Sequence, residues 1–202
     1  MLRRVHSLLG LIPVGGFLLF HLWENSQSRF GMEHYNEYVV EKIRNMNYVL
    51  LLEIFLIALP IVFHAGYGVV IWWKGKSNVT TYGYLRNWLW WLQRISGLGV
   101  LLFLILHVGG TRILAIWDNG VAEDMFGHIE SLFANPAYLT VYLVGLVLAI
   151  FHLCNGLWSM SIVWGLATTA RAQKIMQGVM GAAFVVITAL GIHGVLGFFI
   201  AS

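Results

Sequence analysis

The sequence predicts an all-α membrane protein with five transmembrane helices. Of its 202 residues, 59% are hydrophobic and only 10% are charged, and the mean hydropathy is +0.76. Five apolar stretches are long enough to cross a hydrocarbon layer of ~30 Å, which takes ~20 helical residues. None has the alternating pattern that lipid-facing β-barrel strands require. The fold class is therefore a helical bundle in a membrane.

The predicted spans lie at residues 5–24, 46–73, 88–112, 136–164 and 174–200. The first span follows two arginines, as the apolar region of a secretory signal does. No small-residue cleavage site comes after it, and the run is longer than a signal would need. We therefore interpret it as the first transmembrane helix and expect residues 1–202 to form a single domain.

The distribution of basic residues predicts the orientation of the bundle. With the N-terminus inside, eight Lys and Arg residues fall on the inner side and four on the outer side, which agrees with the positive-inside rule. After five crossings the C-terminus would then lie outside. The basic residues form no stripe interleaved with aromatics, so nothing predicts a nucleic-acid partner. The inner set is Arg3, Arg4, Lys74, Lys76, Arg86, Arg94, Arg171 and Lys174, and the outer set is Arg29, Lys42, Arg44 and Arg112.

Four histidines lie inside the first four spans, one in each: His21, His64, His107 and His152. An ionisable side chain within a membrane is a functional candidate, because lipid offers it no polar partner. The intervals from His21 to His64 and from His107 to His152 are 43 and 45 residues. The chain thus resembles a two-helix unit used twice, and four such histidines favour a shared chemical role over isolated packing.

Depth in the membrane sorts the four histidines into pairs. Counted from the outer helix ends, His21 and His107 lie about 5 and 8 Å deep, whereas His64 and His152 lie about 27 and 24 Å deep. Each pair is suited to hold one haem iron from both faces, which describes an electron carrier without an open iron position. The two centres would differ in depth by roughly 15–20 Å and would form an electron path across the bilayer.

Two further features constrain the kind of haem. Cys154 is the only cysteine, so the chain lacks a C-x-x-C-H motif and any haem must be of the b type. Gly68 and Gly156 follow His64 and His152 by four residues and therefore share a helix face with them. They are expected to clear space for a flat group, although small residues are also frequent wherever membrane helices pack closely.

Four stretches together resemble the cytochrome b558 subunit family of succinate dehydrogenase, in its single-chain form with five helices and two haems. They are R-R-V-H-S-L-L-G-L-I-P-V-G, L-E-I-F-L-I-A-L-P-I-V-F-H-A-G-Y-G, Y-G-Y-L-R-N-W-L-W-W-L-Q-R-I-S-G and F-H-L-C-N-G-L-W. The resemblance runs from Arg3 to about Gly165. It implies a membrane anchor for a flavoprotein and an iron–sulfur protein, in a bacterial cytoplasmic membrane, that exchanges electrons with a quinone, here menaquinone.

The resemblance also implies roles for individual residues. The haem ligands fall on His21, His64, His107 and His152, paired as depth pairs them. The propionates of the inner haem would be held at Ser7, next to His6, and at Trp90. Some relatives have a lysine before the W-G of the fourth helix, where this chain has Val163. That contact is therefore absent here or comes from another residue, such as Arg94. His6 is equally compatible with a plain interfacial position.

Glu53 is the only acidic residue predicted to lie well inside a span, about 10 Å deep on the outer side. A carboxylate there could supply protons to a quinone beside the outer haem. If the second helix begins later than residue 46, Glu53 is instead interfacial. The other acidic residues fall in outer loops or at their edges, where solvated side chains are expected.

Other readings remain open from the sequence alone. A two-haem reductase of the cytochrome b561 type also places one histidine on each of four helices, but it normally has six spans. A transporter with a histidine proton relay is a second alternative, which the paired depths disfavour. The basic segment 74–88 either docks a soluble partner beside the inner haem or simply follows the positive-inside rule.

Overall fold

The computed structural model describes residues 1–200, and within that range it is built from helices without a β-strand. Five helices are long and apolar enough to cross a membrane. The predicted fold class is therefore confirmed. The orientation of the bundle stays a prediction, and "inner" and "outer" below denote the ends of the bundle in that predicted orientation. The helices are α1 (Leu2–Phe30), α2 (residues 32–44), α3 (Val49–Lys74), α4 (Leu85–Trp117), α5 (Asn119–Glu123), α6 (Met125–Phe133), α7 (Pro136–Val163) and α8 (Ala170–Ile200).

The spans are α1, α3, α4, α7 and α8, and their ends differ from the predicted ends by a few residues. The first span continues six residues past its predicted end, to Phe30, and stops at Gly31, whose φ of 95° breaks the helix. Tyr48 adopts a φ of 62°, so α3 begins at Val49 rather than at residue 46. Hydropathy did not show these ends, because they depend on backbone turns.

The fourth span, α7, matches its prediction closely because its end signals are local. The side chain of Asn135 accepts hydrogen bonds from the N–H groups of Ala137 and Tyr138, and Pro136 takes the first helical position. At the other end, Gly165 has a φ of 75°, and the N–H groups of the next two residues donate to the Ser161 carbonyl.

The helix α7 is the centre of the bundle and packs along both α4 and α8. Towards the outer end α8 also packs against α1, while the inner part of α1 lies against α3. The buried apolar core is concentrated at the outer end, where α2 and α6 close over the spans. Many large apolar side chains elsewhere are exposed, as expected for surfaces that face lipid. The core comprises Leu22, Tyr35, Val39, Phe126, Ile129, Phe133, Leu146, Ile150, Cys154, Val195 and Phe198.

Glycines let α8 approach α1 at this outer end. A Cβ at Gly194 would lie 3.1 Å from the backbone of Asn25, and one at Gly197 would overlap Ser28 Oγ and lie 2.5 Å from the Arg29 nitrogen. Ser28 is fully buried, and its hydroxyl donates to the Gly194 carbonyl at 2.7 Å. This close contact fixes the part of α1 that carries His21.

We expect G197A to destabilise the chain by about 1–3 kcal/mol, because the added methyl group must push α1 away from α8. The matched control is G178A on the same helix, where a Cβ would meet nothing within 4 Å. The control should leave stability unchanged or raise it slightly, since alanine favours helix. Thermal unfolding of the purified protein in detergent measures both, and equal unfolding temperatures for the two variants would contradict the packing described.

Candidate functional site

The structure brings together the same two pairs of histidines that depth in the membrane predicted. His64 on α3 and His152 on α7 have ring centroids 6.1 Å apart, with their planes at 86°. His21 on α1 and His107 on α4 have ring centroids 5.7 Å apart, with their planes at 67°. Each pair joins two spans across the bundle interior. That these rings bind iron stays a prediction.

In the inner pair, both imidazoles hold their Nδ1 atoms against backbone oxygen atoms. His64 Nδ1 lies 2.9 Å from the carbonyl oxygen of His6, and His152 Nδ1 lies 3.1 Å from the carbonyl oxygen of Gln93. A carbonyl oxygen only accepts hydrogen bonds, so each Nδ1 carries the hydrogen and donates it. Each Nε2 therefore keeps its lone pair, which is the arrangement that a metal-binding histidine requires.

The outer pair lacks such backbone partners. His107 Nδ1 is buried and has no hydrogen-bond partner within residues 1–200. Asn25 Nδ2 lies 3.4 and 3.3 Å from the two ring nitrogens of His21, and it donates to the His21 carbonyl at 2.8 Å. A buried nitrogen without a partner is costly and calls for an explanation.

The surroundings of the outer pair are aromatic. Phe17 stacks on His21 with ring centroids 5.3 Å apart, and Phe103 stacks on His107 at 5.4 Å. Tyr35 on α2 donates its hydroxyl hydrogen to Asn25 Oδ1 at 3.0 Å. Burial raises the pKa of Tyr35, so its hydroxyl stays protonated and available as a donor. These contacts hold Asn25 beside His21.

The predicted glycines and the glycines that face the rings are different ones. A Cβ at Gly68 would lie 3.4 Å from His6 Nε2, and one at Gly156 would lie 3.1 Å from Gln93 Nε2. A Cβ at Gly10 would overlap the His64 ring, and one at Gly97 would lie 2.9 Å from His152 Cε1. Gly10 and Gly97 lie on neighbouring helices, so spacing within a helix could not reveal them. The space-clearing role of Gly68 and Gly156 stays a prediction.

The residues predicted at the propionates lie at the inner end of the bundle. His6 stacks on His64 with ring centroids 4.0 Å apart and planes at 10°. Ser7 donates its hydroxyl hydrogen to the Arg3 carbonyl of its own helix at 3.0 Å. Thus His6 contacts the His64 ring of the inner pair directly, whereas the hydroxyl hydrogen of Ser7 is already donated to a backbone carbonyl of α1.

Arg94 and Trp90 lie one helical turn apart on α4 and contact each other. The guanidinium carbon of Arg94 lies 3.4 Å from the centroid of the Trp90 ring, and Nη1 donates to the Trp90 carbonyl at 3.0 Å. Arg94 Nε is buried and unpartnered within residues 1–200. The two side chains border a cleft of about 370 Å³ between α3 and α4. The cleft is lined by Trp72, Trp73, Gly75, Trp90, Trp91, Arg94 and Ile95.

Glu53 lies four residues after the start of α3 and forms an ion pair that the sequence did not predict. Its two carboxylate oxygens accept hydrogen bonds of 2.8 Å from Nε and Nη2 of Arg112 on α4. The side chain of Glu53 is 28% exposed and that of Arg112 is 49% exposed. A second acid, Glu24, is buried one helical turn past His21, although a solvated position was expected for it.

The four histidines are better suited to hold a haem, which brings its own metal in a planar ring, than to hold a bare metal ion. Across residues 1–200 no three His, Cys, Asp or Glu side chains converge to hold a metal on their own. Each pair instead offers two imidazoles from opposite helices, which matches the two axial positions that a haem leaves open. The Nδ1 hydrogen bonds of the inner pair, which leave a lone pair on each Nε2, agree with this fit.

Comparisons with known proteins agree with the geometry. Residues 75–191 match the succinate dehydrogenase/fumarate reductase transmembrane subunit family. The chain is also 42% identical over 196 residues to the succinate dehydrogenase cytochrome b558 subunit of Bacillus subtilis (strain 168), an alignment that covers 97% of this chain and 95% of that protein. The chain therefore belongs to the family of succinate dehydrogenase/fumarate reductase transmembrane subunits, as one of its cytochrome b membrane anchors.

Proposed function

We propose that this chain carries electrons between the iron–sulfur subunit of a succinate dehydrogenase and a membrane quinone, through two b haems. The observation that carries the proposal is the pair of facing imidazoles at each of two places in the bundle. Four spans each supply one ring, so both centres depend on the same four-helix packing. The chain would act as a multi-pass subunit in a bacterial cytoplasmic membrane.

A haem supplies reversible one-electron redox chemistry, and the imidazoles of this chain determine what else it can do. His64 and His152 would take both axial positions of the inner haem, and His21 and His107 would take those of the outer haem. No position would then remain for oxygen or substrate, which favours electron transfer over oxygen activation. This chain would therefore relay electrons, while the dicarboxylate chemistry belongs to the flavoprotein subunit.

We assign the inner propionates to the inner end of α1 and α4. Arg94 has a buried Nε without a partner, and no acidic residue lies on the predicted inner side of the chain. A propionate carboxylate would provide the missing acceptor, since charge-assisted bonds to a guanidinium are strong. His6, Ser7 and Trp90 complete the proposed cradle around this carboxylate.

The quinone site is proposed on the outer side, beside the outer haem, with menaquinone as the quinone. Glu53 is the candidate group for the proton path there. Two guanidinium N–H groups of Arg112 already hold its carboxylate. Arg112 would hold this carboxylate in place beside the quinone.

The inner face is proposed to dock the soluble subunits. It carries eight basic residues and no acidic residue, whereas all nine acidic residues lie towards the outer end. Such a face favours a partner with an acidic surface, because complementary charge steers association. The loop between α3 and α4, within the segment 74–88, would bring the iron–sulfur subunit next to the inner haem.

We expect the purified complex to contain two low-spin b haems per copy of this chain, quantified by redox difference spectra and the pyridine haemochrome. H64A and H152A should each remove the inner haem and leave the outer one, because each deletes one axial ligand. The control is H193A, since His193 is exposed on α8 and its ring contacts Arg29. Wild-type complex without haem would contradict the proposed function. Loss of both haems or neither in otherwise folded H64A would contradict the pairing.

For the proton path, we expect E53Q to slow quinone reduction by about 10²-fold or more, the usual scale for a positioned acid–base group. Haem reduction by succinate should be unchanged, since it precedes the quinone step. The control is E33Q, which changes an exposed carboxylate on α2. If E53Q reduces quinone as fast as E33Q does, Glu53 is not part of the proton path and only forms the ion pair with Arg112.

A further inference from the structure

A buried polar cluster surrounds His152 on the side away from His64 and has no role in the function proposed above. It consists of Gln93 and Ser96 on α4 and Asn155 on α7. Ser96 and Asn155 are only 2% and 7% exposed, although both lie inside spans. Buried polar groups in an apolar bundle are costly unless their hydrogen bonds are made. Their position beside one imidazole therefore calls for a reason.

The amide groups of the cluster lock the two helices together. Asn155 Nδ2 donates to the Gln93 side-chain oxygen at 2.7 Å and to the Leu89 carbonyl at 3.0 Å. Gln93 Nε2 in turn donates to the His152 carbonyl at 3.0 Å and lies 3.2 and 3.5 Å from Nδ1 and Nε2 of the His152 ring. Both helices thus contribute donors and acceptors, and the backbone around His152 has little freedom to shift. The carbonyl that receives His152 Nδ1–H belongs to the same Gln93.

The Ser96 hydroxyl is the only side-chain oxygen placed against the His152 ring within residues 1–200. Its Oγ lies 3.1 Å from His152 Nδ1 and donates to the Gln93 carbonyl at 3.1 Å. Because Nδ1 carries the hydrogen, the hydroxyl oxygen can share it with that carbonyl as a second acceptor. Within residues 1–200 the His64 ring has a backbone carbonyl as its one hydrogen-bond partner, so His152 is the inner imidazole whose hydrogen bonds a side-chain change can alter.

We infer that Ser96 is a positioning residue, which fixes the His152 ring and increases its strength as an iron ligand. The inference rests on the proposed function, in which His152 is an axial ligand of the inner haem. A second acceptor at Nδ1–H makes the imidazole more basic, and a more basic ligand stabilises the oxidised iron. Ser96 thereby lowers the reduction potential of the inner haem and leaves that of the outer haem unchanged.

The test measures haem potentials in S96A, S96T and S161A within the complete complex. S96A removes the hydroxyl, while S96T keeps it. Ser161 is also 2% exposed, but its hydroxyl donates to the Trp158 carbonyl and touches neither histidine pair. S161A therefore controls for loss of a buried serine hydroxyl in the bundle. Spectroelectrochemical titration gives the midpoint potential of each haem. The low-spin signals in electron paramagnetic resonance respond to the strength and orientation of the two imidazoles that hold each iron.

We expect S96A to raise the inner midpoint potential, with up to about a tenfold change in the reduced-to-oxidised ratio, which is about 59 mV for one electron. The outer potential should not move, and S96T and S161A should match wild type. If S96A loses the inner haem, retention at the wild-type potential in S96T supports the inference, and loss in both variants overturns it.

An inner potential and resonance signal in S96A that equal those of S161A overturn the inference as well. In that case two haems in the wild-type complex leave the proposed function intact. A wild-type complex without an inner haem contradicts the proposed function itself, whatever the serine variants show. The two failures are therefore separable in the same set of samples.

Discussion

The structure depends on one constraint: four imidazoles lie in the interior of an apolar bundle, and lipid supplies no hydrogen bonds to them. Each ring nitrogen must be satisfied from within the bundle or by a bound group. At the inner pair, backbone carbonyls of His6 and Gln93 accept from the Nδ1 atoms and leave a lone pair on each Nε2, with Gln93 Nε2 3.5 Å from that of His152. At the outer pair, Nδ1 of His107 has no hydrogen-bond partner within residues 1–200. The packing of α1, α3, α4 and α7 therefore has to supply these hydrogen bonds or leave room for a bound group.

The two ends of the bundle are built differently around these centres. At the outer end, α2 and α6 cover an aromatic core, and glycines let α8 approach the end of α1, so His21 lies next to a tightly packed part of the chain. At the inner end, the helices leave a tryptophan-lined cleft beside Arg94. Tight packing at one end and an open cleft at the other suit the proposed role, in which the inner end contacts soluble subunits.

Features that recur along a helix could be read from the sequence, and features that arise between helices could not. The five spans follow from hydropathy, and the pairing of His21 with His107 and of His64 with His152 follows from a constant rise per residue. Gly10, Gly97, Gln93 and Ser96 reach the histidines from neighbouring helices, so their contacts depend on helix rotation and crossing. The Arg112 partner of Glu53 was missed for the same reason, and the start of α3 was misplaced because Tyr48 turns the backbone.

The contrast between the two histidine pairs bears on how two haems, bound as proposed, would come to differ in potential. Both pairs offer the same ligand atoms, so ligand identity cannot distinguish two haems bound there. What differs is the acceptor at Nδ1 within residues 1–200: a backbone carbonyl for His64, a carbonyl and a hydroxyl for His152, and none for His107. A backbone carbonyl cannot be removed by substitution, whereas a hydroxyl can be gained or lost in a single step. In the proposed function, the side chains behind the histidines, rather than the histidines themselves, are therefore where this fold would adjust a potential without losing a haem.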